Sequence, residues 1–349
     1  MKTAELDYLL PEQLIASRPA AERDGGRLLV VGRERDEHRR VVDLAELVPE
    51  RTLLVVNDTR VYRSRLFGER RGTGGRVELL LLARESSDGG VERWKALGRA
   101  SKPLRPGTRI DVGPIEVEVD SRDDDGTLRV AVRAEGGVEA AMERHGHVPI
   151  PPYLRREDDV DDVERYQTVY ARHPGSVAAP TAGLHLSTAL LSRLEARGVE
   201  LGRLVLHVGV GTFRPVAVDD LDQHPMHSEH IEVDEALAAK VAAARARAAP
   251  VIAVGTTVAR ALESAAAPGC PGQLQPMSGE TRLLIQPGYR FSVVDGLLTN
   301  FHMPKSTLLA LVMAFAGKAR TRGAYQEAVR CSYRFLSYGD AMWIPERLA

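Results

Sequence analysis

A run of short apolar segments in the middle of the chain is the feature that most limits how it can fold. Between Val61 and about Val148, short apolar stretches alternate with Gly, Pro and Asp residues, which favour turns. The longest helical pattern in this region is about 138–145. Several short strands at close spacing are typical of a small barrel or sandwich. Strands are predicted here at residues 76–82, 94–97, 110–112, 115–119 and 128–132.

The regions on either side of this stretch combine helical and strand patterns. Leu190, Leu191 and Leu194, for example, follow the spacing of a helix with one buried face. Helices are predicted at residues 11–17, 187–197, 234–248, 258–267, 306–316 and 325–330. Strands are predicted at residues 27–31, 53–56, 203–208, 251–254, 281–285, 291–294 and 342–344. We therefore expect a mixed α+β protein, in which a larger α/β domain (residues 1–60 and 149–349) contains an inserted, small all-β, barrel-like domain (residues 61–148).

Composition excludes several classes of protein. A 44% hydrophobic fraction over 349 residues is enough for a substantial core, which excludes a largely disordered chain. The net charge of -1 excludes a nucleic-acid binder that relies on overall positive charge. Two cysteines, Cys270 and Cys331, exclude a disulfide framework and a four-thiolate metal site. Glu5 and Asp7 argue against a secretory signal at the N-terminus. The length of the apolar run 308–316 is about half of the ~20 residues that a membrane span needs. We therefore expect a cytoplasmic protein that does not enter a membrane.

Two charged segments stand out. Six arginines, with Glu69 as the one acid among them, lie within residues 60–76. Guanidinium groups bind phosphates bidentately, so this arginine cluster is the best candidate for contact with a polyanion, with a solvated surface as the alternative. Six acids within residues 157–164 are interpreted as a solvated loop or surface.

Polar residues recur in loops next to predicted strands and helix starts. Three of these loops have a structural alternative: an Asx turn at Asp58, a buried turn-capping histidine at His185, and threonine helix caps at Thr256 and Thr257. Clefts in α/β sheets lie at strand ends, so the repetition of His, Thr, Asn and Asp there indicates a ligand site. The loops concerned are residues 57–60, 180–185, 254–260, 299–307 and 333–340.

A strand that runs into Gly209-x-Gly211 resembles the nucleotide-binding turn of a Rossmann fold. The third glycine of that fingerprint would fall on Arg214, with Pro215 next to it. No acid about 20 residues further on is clearly placed to bind a ribose hydroxyl. The Rossmann interpretation is therefore disfavoured.

Three histidines and a glutamate lie within residues 224–230 and invite a metal interpretation. Pro225 argues against a helix through this segment, so the histidines need not share a face. Acid–base use of His227 with Glu229, or a simple hydrogen-bond network, is favoured over a metal site.

Together, these segments resemble the S-adenosylmethionine:tRNA ribosyltransferase-isomerases of queuosine biosynthesis. Ala178-Ala-Pro-Thr-Ala-Gly-Leu-His185, Val254-Gly-Thr-Thr-Val258 and Thr299-Asn-Phe-His302 are among the most specific motifs. The resemblance covers nearly the whole chain and is weakest over about 83–141, as an inserted domain would allow. The other matching segments are 7–16, 57–61, 151–153, 165–171, 207–213, 226–229, 304–307 and 333–342.

The resemblance implies a specific reaction. The ribosyl unit of S-adenosylmethionine, a co-substrate, is transferred to 7-aminomethyl-7-deazaguanine at the tRNA wobble position and isomerised, which gives epoxyqueuosine and releases adenine and methionine. The implied partner is tRNA with a GUN anticodon, specific for Tyr, His, Asp or Asn. No prosthetic group and no metal are implied.

This chemistry requires a general base beside the sulfonium and favours a general acid for the departing adenine. The candidate catalytic residues are Asp58, His185, His207, His227, Glu229, His302 and Asp340. The candidate substrate-binding residues are Arg60, Tyr166, Gln167, Thr181, Thr212, Phe213, Thr256, Thr257, Arg260, Asn300 and Tyr338. The candidate RNA-binding residues are Arg63, Arg65, Arg70, Arg71 and Arg76.

Two other functions are consistent with parts of the sequence. An S-adenosylmethionine-dependent RNA methyltransferase, favoured only by the Gly-x-Gly turn, would release S-adenosylhomocysteine. A non-catalytic tRNA-binding relative would bind tRNA without releasing adenine.

Overall fold

The structure, a computed structural model, describes residues 1–209 and 216–349. The candidate residues Thr212 and Phe213, and Gly211 of the Gly-x-Gly turn, lie outside the described residues. The described strands are β1 Arg27–Val31, β2 Asp36–Arg40, β3 Leu53–Asn57, β4 Thr59–Val61, β5 Arg65–Arg70, β6 Arg76–Asp88, β7 Val91–Ala100, β8 Arg109–Val112, β9 Ile115–Arg122, β10 Leu128–Ala134, β11 His173–Ser176, β12 Glu200–Leu206, β13 Glu229–Val233, β14 Val251–Val254, β15 Met277–Thr281, β16 Gly296–Asn300 and β17 Ala341–Ile344. The described α-helices are α1 Leu44–Leu47, α2 Val138–His145, α3 Val160–Arg165, α4 Thr188–Ala196, α5 Glu235–Ala246, α6 Thr256–Ser264, α7 Thr307–Ala316 and α8 Lys318–Arg330.

A large mixed sheet organises the residues outside the central stretch. Its described strands follow the order β15-β13-β12-β3-β14-β16-β17-β1-β2. The strands β12, β3, β14 and β16 are parallel to one another, whereas β17 is antiparallel to β16 and parallel to β1. The carboxyl ends of the four parallel strands therefore lie at the same edge of the sheet as the amino ends of β17 and β1. We call this edge the cleft edge.

Both faces of the sheet are covered, which explains why β3 is an uninterrupted apolar run. Successive side chains of a strand point to opposite faces. Leu53 and Val55 accordingly pack with residues of α5, α6, α7 and α8. Leu54 and Val56 pack on the other face with residues of α1 and α4.

The central stretch forms a closed barrel with its own core. Its strands follow the order β10-β7-β6-β5-β8-β9, and neighbouring strands are antiparallel. Trp94 is fully buried in this core, and Ala141 and Met142 of α2 pack against it. The predicted fold class, a larger α/β unit with an inserted all-β barrel, is confirmed. The boundaries of the predicted domains, 1–60 and 149–349 against 61–148, stay a prediction.

Three predictions of secondary structure are wrong. Residues 291–294 form a loop, because the backbone N–H groups of Ser292, Val293 and Val294 donate to the Glu263 carboxylate instead of a neighbouring strand. The strand predicted at 281–285 lies earlier, and it ends where the Thr281 hydroxyl accepts the N–H of Leu283. The helix predicted at 11–17 is a single 3₁₀ turn, Glu12–Leu14.

The acidic run 157–164 is not simply a solvated surface. Asp162 is buried and pairs with Arg156 at 2.6 Å. Asp158 accepts hydrogen bonds from the His147 ring and the Val148 N–H, at 3.0 and 2.9 Å. These acids therefore fix the segment that follows the barrel to the end of the barrel segment.

None of the described helices is long and apolar enough to span a membrane.

Candidate active site

A cleft of about 730 Å³, including its open mouth, lies at the cleft edge. Its walls come from segments that are far apart in the chain but meet where the parallel strands end. The lining residues are Tyr153, Ala179, Pro180, Thr181, Ala182, Val208, Gly255, Thr256, Thr257, Thr299, Asn300, Phe301, His302, Met303, Ser306, Leu308, Leu336 and Ser337.

A hydrogen-bonded chain leads from the cleft wall into the protein. Asn300, the last residue of β16, accepts a hydrogen bond from the Thr181 hydroxyl at 3.1 Å. Its side-chain amide donates to His185 Nε2 at 3.0 Å and to the Leu336 carbonyl at 3.1 Å. Thr181 and Asn300 line the cleft, whereas His185 lies behind them. His185 is therefore placed to position Asn300 rather than to contact a ligand.

Burial controls the charge of His185. It lowers the pKa of this imidazole to about 4, and the nearby Asp340 carboxylate acts in the opposite direction. Asp340 is itself buried and accepts hydrogen bonds from the backbone N–H groups of Arg27 and Arg334, at 2.9 and 2.7 Å. The chain Thr181–Asn300–His185 thus ends near a carboxylate that is already well bonded.

His302 lines the cleft directly. Its Nε2 and the Thr299 hydroxyl form a hydrogen bond of 2.8 Å. Its backbone is fixed on both sides, because its N–H donates to the Tyr325 hydroxyl at 3.0 Å and its carbonyl accepts the Tyr8 hydroxyl at 2.5 Å. Burial lowers the pKa of His302 to about 3, so the imidazole is neutral near pH 7.

The start of α6 forms another part of the wall. The strand β14 ends at Val254, and Gly255 precedes the helix with a φ of 101°, a conformation that favours glycine. Gly255 cannot cap the helix with a side chain, and Gly255, Thr256 and Thr257 all line the cleft, so the N-terminus of α6 forms part of its wall. Arg260, one turn further on, is buried and forms an ion pair with buried Glu229.

A second group of polar residues follows β3 and β12. Asp58 is buried and pairs with His173 at 3.0 Å. The Thr59 hydroxyl and His207 Nδ1 form a hydrogen bond of 2.8 Å, and the His207 ring stacks on that of His230 with centroids 6.0 Å apart. Burial, followed by the charge of His230, lowers the pKa of His207. None of these residues belongs to the described lining of the cleft.

Several other candidate residues have partners within the fold. The Gln167 side chain bonds the backbone N–H and carbonyl of Val61 at 3.1 and 2.8 Å. The Tyr338 hydroxyl donates to Asp162 at 2.6 Å, and the buried Tyr166 ring packs edge-on against Tyr338.

Two more candidates are solvent-facing. His227 is exposed. Arg60 is also exposed, and its guanidinium lies 3.9 Å from the Glu143 carboxylate.

The arginine cluster is largely paired on the barrel surface. Arg65 pairs with Glu78 at 2.7 Å, and Arg71 pairs with both Asp111 and Glu116. Two others donate to backbone carbonyls: Arg63 to Glu143, and Arg70 to Lys102 and Pro103. Arg76 is exposed.

Tyr153 and Ser337 line the cleft but were not predicted as site residues. The Tyr153 hydroxyl and the Ser337 hydroxyl form a hydrogen bond of 2.5 Å across 184 residues of sequence. Both residues lie in segments that carry the family resemblance, 151–153 and 333–342, and this was the available signal.

Potential metal ligands gather away from the cleft lining. Among residues 1–209 and 216–349, the one group of three or more donors close enough to share an ion is His38, Glu327 and Cys331. The 224–230 segment forms no such group within the described chain.

Comparison with known proteins places this site in a family. Residues 3–344 match the family model described as "Queuosine biosynthesis protein". The S-adenosylmethionine:tRNA ribosyltransferase-isomerase of Sorangium cellulosum (strain So ce56) is 57% identical, over 99% of this chain and 98% of the relative. The protein of the same name from Anaeromyxobacter dehalogenans (strain 2CP-C) is 50% identical, over 99% of this chain and all of the relative.

A solved structure agrees with these relatives. The crystal structure of S-adenosylmethionine tRNA ribosyltransferase from Thermotoga maritima is 32% identical, with a TM-score of 0.55, and covers 97% of this chain and 99% of that chain. The chain therefore belongs to the family of queuosine biosynthesis proteins.

Proposed function

We propose that this protein transfers and isomerises the ribosyl unit of S-adenosylmethionine onto 7-aminomethyl-7-deazaguanine at the tRNA wobble position. The products are epoxyqueuosine in tRNA, adenine and methionine. The observation that carries the proposal is that distant family motifs build one cleft. Residues from segments 178–185, 254–258, 299–302 and 333–342 all line it. The names of the full-length relatives support the same reaction.

The two buried histidines enter this proposal as neutral groups. With pKa values of about 4 and about 3, His185 and His302 are neutral near pH 7 and can accept a hydrogen bond. They do not carry the proton that a general acid would give to adenine, and their lowered pKa values make them weak bases at this pH. His302 contacts the cleft, and His185 with Asp340 positions Asn300.

The remaining candidates are assigned by location. Thr181, Thr256, Thr257 and Asn300 line the cleft and are proposed to bind S-adenosylmethionine. Asp58 and His207 lie beside the cleft edge and are proposed to contact the modified base. His173, which pairs with Asp58, is proposed to lie near the base with them. The exposed His227 and Arg60 are proposed to contact tRNA.

The partner in this proposal is tRNA with a GUN anticodon, and no metal takes part. The wobble base must leave the anticodon stack to enter the cleft, at a cost of about a few kcal/mol that is smaller in a single-stranded loop. The arginine cluster is proposed to contribute phosphate contacts to this step. A cytoplasmic location is also proposed, on the ground that the substrate is tRNA.

A chromatographic assay tests the proposed function. Purified protein is incubated with S-adenosylmethionine and tRNA that carries the aminomethyl-deazaguanine. We expect adenine and methionine to appear in step with epoxyqueuosine in digested tRNA. S-adenosylhomocysteine would instead identify a methyltransferase, and tRNA binding without any product would identify a non-catalytic relative. Unmodified tRNA of the same sequence is the control.

A further inference from the structure

A small pocket next to the cleft has walls of two kinds. On one side are Thr256, Thr257 and Arg260 of α6, and on the other are apolar residues that include Leu283, Leu284 and Leu311. Thr256, Thr257 and Leu308 line both this pocket and the cleft. One ligand can therefore occupy the two together. We call the smaller one the Arg260 pocket.

The spacing on α6 directs three polar side chains into this pocket. Thr256 and Arg260 are four residues apart and Thr257 and Arg260 are three apart, so they share a face of the helix. The helix N-terminus carries a partial positive charge, and Gly255 provides no side-chain cap for its first N–H groups. The polar wall thus combines a helix N-terminus, which attracts an anion, with a guanidinium whose charge Glu229 offsets but whose donors it does not all occupy.

The Arg260 guanidinium is buried without a full set of acceptors among the described residues. Glu229 pairs with one of its terminal nitrogens, while Nε has no hydrogen-bond partner in the described part of the chain. Arg260 is 9% exposed. A buried guanidinium donor without an acceptor is unfavourable, so a ligand oxygen at this position would stabilise it. The ion pair with Glu229 holds the guanidinium beside the pocket.

The other walls suit the methylene groups of a short chain. The leucines and Met226 give the pocket an apolar wall against which methylene groups can pack. A molecule that fits must therefore have an apolar linker and an anionic end, and it must continue into the larger cleft. The methionine portion of S-adenosylmethionine has this chemistry. An RNA phosphate does not, because it has no apolar arm to place against the leucines.

We propose that the Arg260 pocket binds the methionine portion of S-adenosylmethionine, with its α-carboxylate on Arg260 and the N-terminus of α6. The adenosine portion then lies in the larger cleft, and the sulfonium lies where the two join. This inference rests on the proposed function, because it takes S-adenosylmethionine as the substrate.

Titration calorimetry with a series of ligands tests the inference. The ligands are S-adenosylmethionine, its decarboxylated analogue, and 5′-methylthioadenosine, which lacks the amino-acid portion. For the unchanged protein, we expect loss of the carboxylate to weaken binding by about 10- to 100-fold, the range for a hydrogen-bonded charged contact. For Arg260→Gln, we expect S-adenosylmethionine to bind as weakly as the decarboxylated analogue, and 5′-methylthioadenosine to bind as it does to the unchanged protein.

Arg282→Gln is the matched control, because Arg282 is exposed and adjacent in sequence to a leucine of the pocket. We expect this variant to discriminate between the ligands as the unchanged protein does. If Arg260→Gln does not fold, the unchanged protein still decides: equal affinity for S-adenosylmethionine and its decarboxylated analogue would overturn the inference. Weaker tRNA binding by Arg260→Gln with unchanged S-adenosylmethionine affinity would also overturn it, in favour of a phosphate contact.

The two proposals fail in different ways. A protein that binds neither S-adenosylmethionine nor 5′-methylthioadenosine, with or without tRNA, contradicts the proposed function and with it this inference. A protein that forms epoxyqueuosine but binds S-adenosylmethionine and its decarboxylated analogue with equal affinity contradicts the inference alone.

Discussion

His185 lies between a hydrogen-bond donor and a carboxylate, and its burial decides its charge. The Asn300 amide donates to Nε2, which requires that this nitrogen carry a lone pair. A protonated imidazole would lose that bond and would be charged in a buried site. Both effects favour the neutral form, although the Asp340 carboxylate opposes them. The neutral state of His185 therefore keeps the cleft wall at Asn300 in place.

This arrangement predicts how stability changes with pH. The pKa of His185 is about 4 in the folded protein against 6.5 for the free side chain, so between these values the unfolded chain binds more protons. The free energy of unfolding should therefore fall as the pH falls, by about 2 kcal/mol between ~pH 7 and ~pH 5 from this residue. His302 acts in the same direction.

Urea unfolding of His185→Gln at both pH values measures the effect. Glutamine can still accept a hydrogen bond from Asn300 but does not titrate. From ~pH 7 to ~pH 5, the free energy of unfolding of the variant should therefore fall by about 2 kcal/mol less than that of the unchanged protein. The exposed His145→Gln variant is the control and should keep the original dependence. Identical pH dependence for all three proteins would show that His185 is not buried in its neutral form.

At the scale of elements, the Glu263 carboxylate accepts backbone hydrogen bonds that a neighbouring strand would otherwise accept. It lies on α6, is buried, and accepts three consecutive backbone N–H groups from residues 292–294 at 2.8–2.9 Å. The Tyr289 hydroxyl also donates to it, at 3.2 Å. The loop that precedes β16 is therefore fixed to the helix that begins at the cleft edge.

Removal of this carboxylate should strongly destabilise the protein. Glu263→Ala leaves three backbone donors without an acceptor, at about 1–3 kcal/mol for each group that stays buried. We expect a loss of at least about 3 kcal/mol in the free energy of unfolding, measured by urea denaturation.

Glu263→Gln keeps an acceptor oxygen, so its free energy of unfolding should fall by less than that of the alanine variant. Glu195→Ala, at an exposed position of α4, is the control and should change stability by less than about 0.5 kcal/mol. A Glu263→Ala variant as stable as this control would mean that the loop finds other acceptors.

At the scale of the whole molecule, a short pair of parallel strands lies where the chain passes from the large sheet to the barrel. The chain passes from β3 through Asp58 into β4, which pairs with β11. The return segment is tied by Asp158 to His147 and Val148. Since the barrel has its own core, we propose that residues 61–148 are an inserted domain.

The barrel also carries the arginine cluster, whose contribution to tRNA binding is measurable through salt. Arg70→Glu with Arg71→Glu should weaken tRNA binding and reduce the slope of log affinity against log salt, by about one for each phosphate contact removed. Arg122→Glu changes an exposed arginine on the same barrel outside the cluster and should have a smaller effect. Affinity and slope that do not change would remove these two arginines from the RNA interface. Thermal unfolding must accompany the test, because Arg71 pairs with Asp111 and Glu116.

The sequence by itself determined the elements whose pattern is local. The strands β1 and β14 and the helix α2 were predicted with their observed bounds, because apolar spacing is fixed by the geometry of a strand or helix. The barrel followed from the same signal, with turns between short apolar runs. Of the five loops that the sequence indicated, 180–185, 254–260, 299–307 and 333–340 contribute to the described lining of the cleft, whereas 57–60 does not.

Only the tertiary structure decided which partners those residues have. The strand β2 is polar, Asp-Glu-His-Arg-Arg, and forms because β1 pairs with it along its whole length. Ser337 and Tyr338 are neighbours in one motif, yet Ser337 lines the cleft and the Tyr338 hydroxyl donates to Asp162. The physical reason is that a hydrogen bond or an ion pair between distant residues depends on how the chain folds, and no local pattern in the sequence records it.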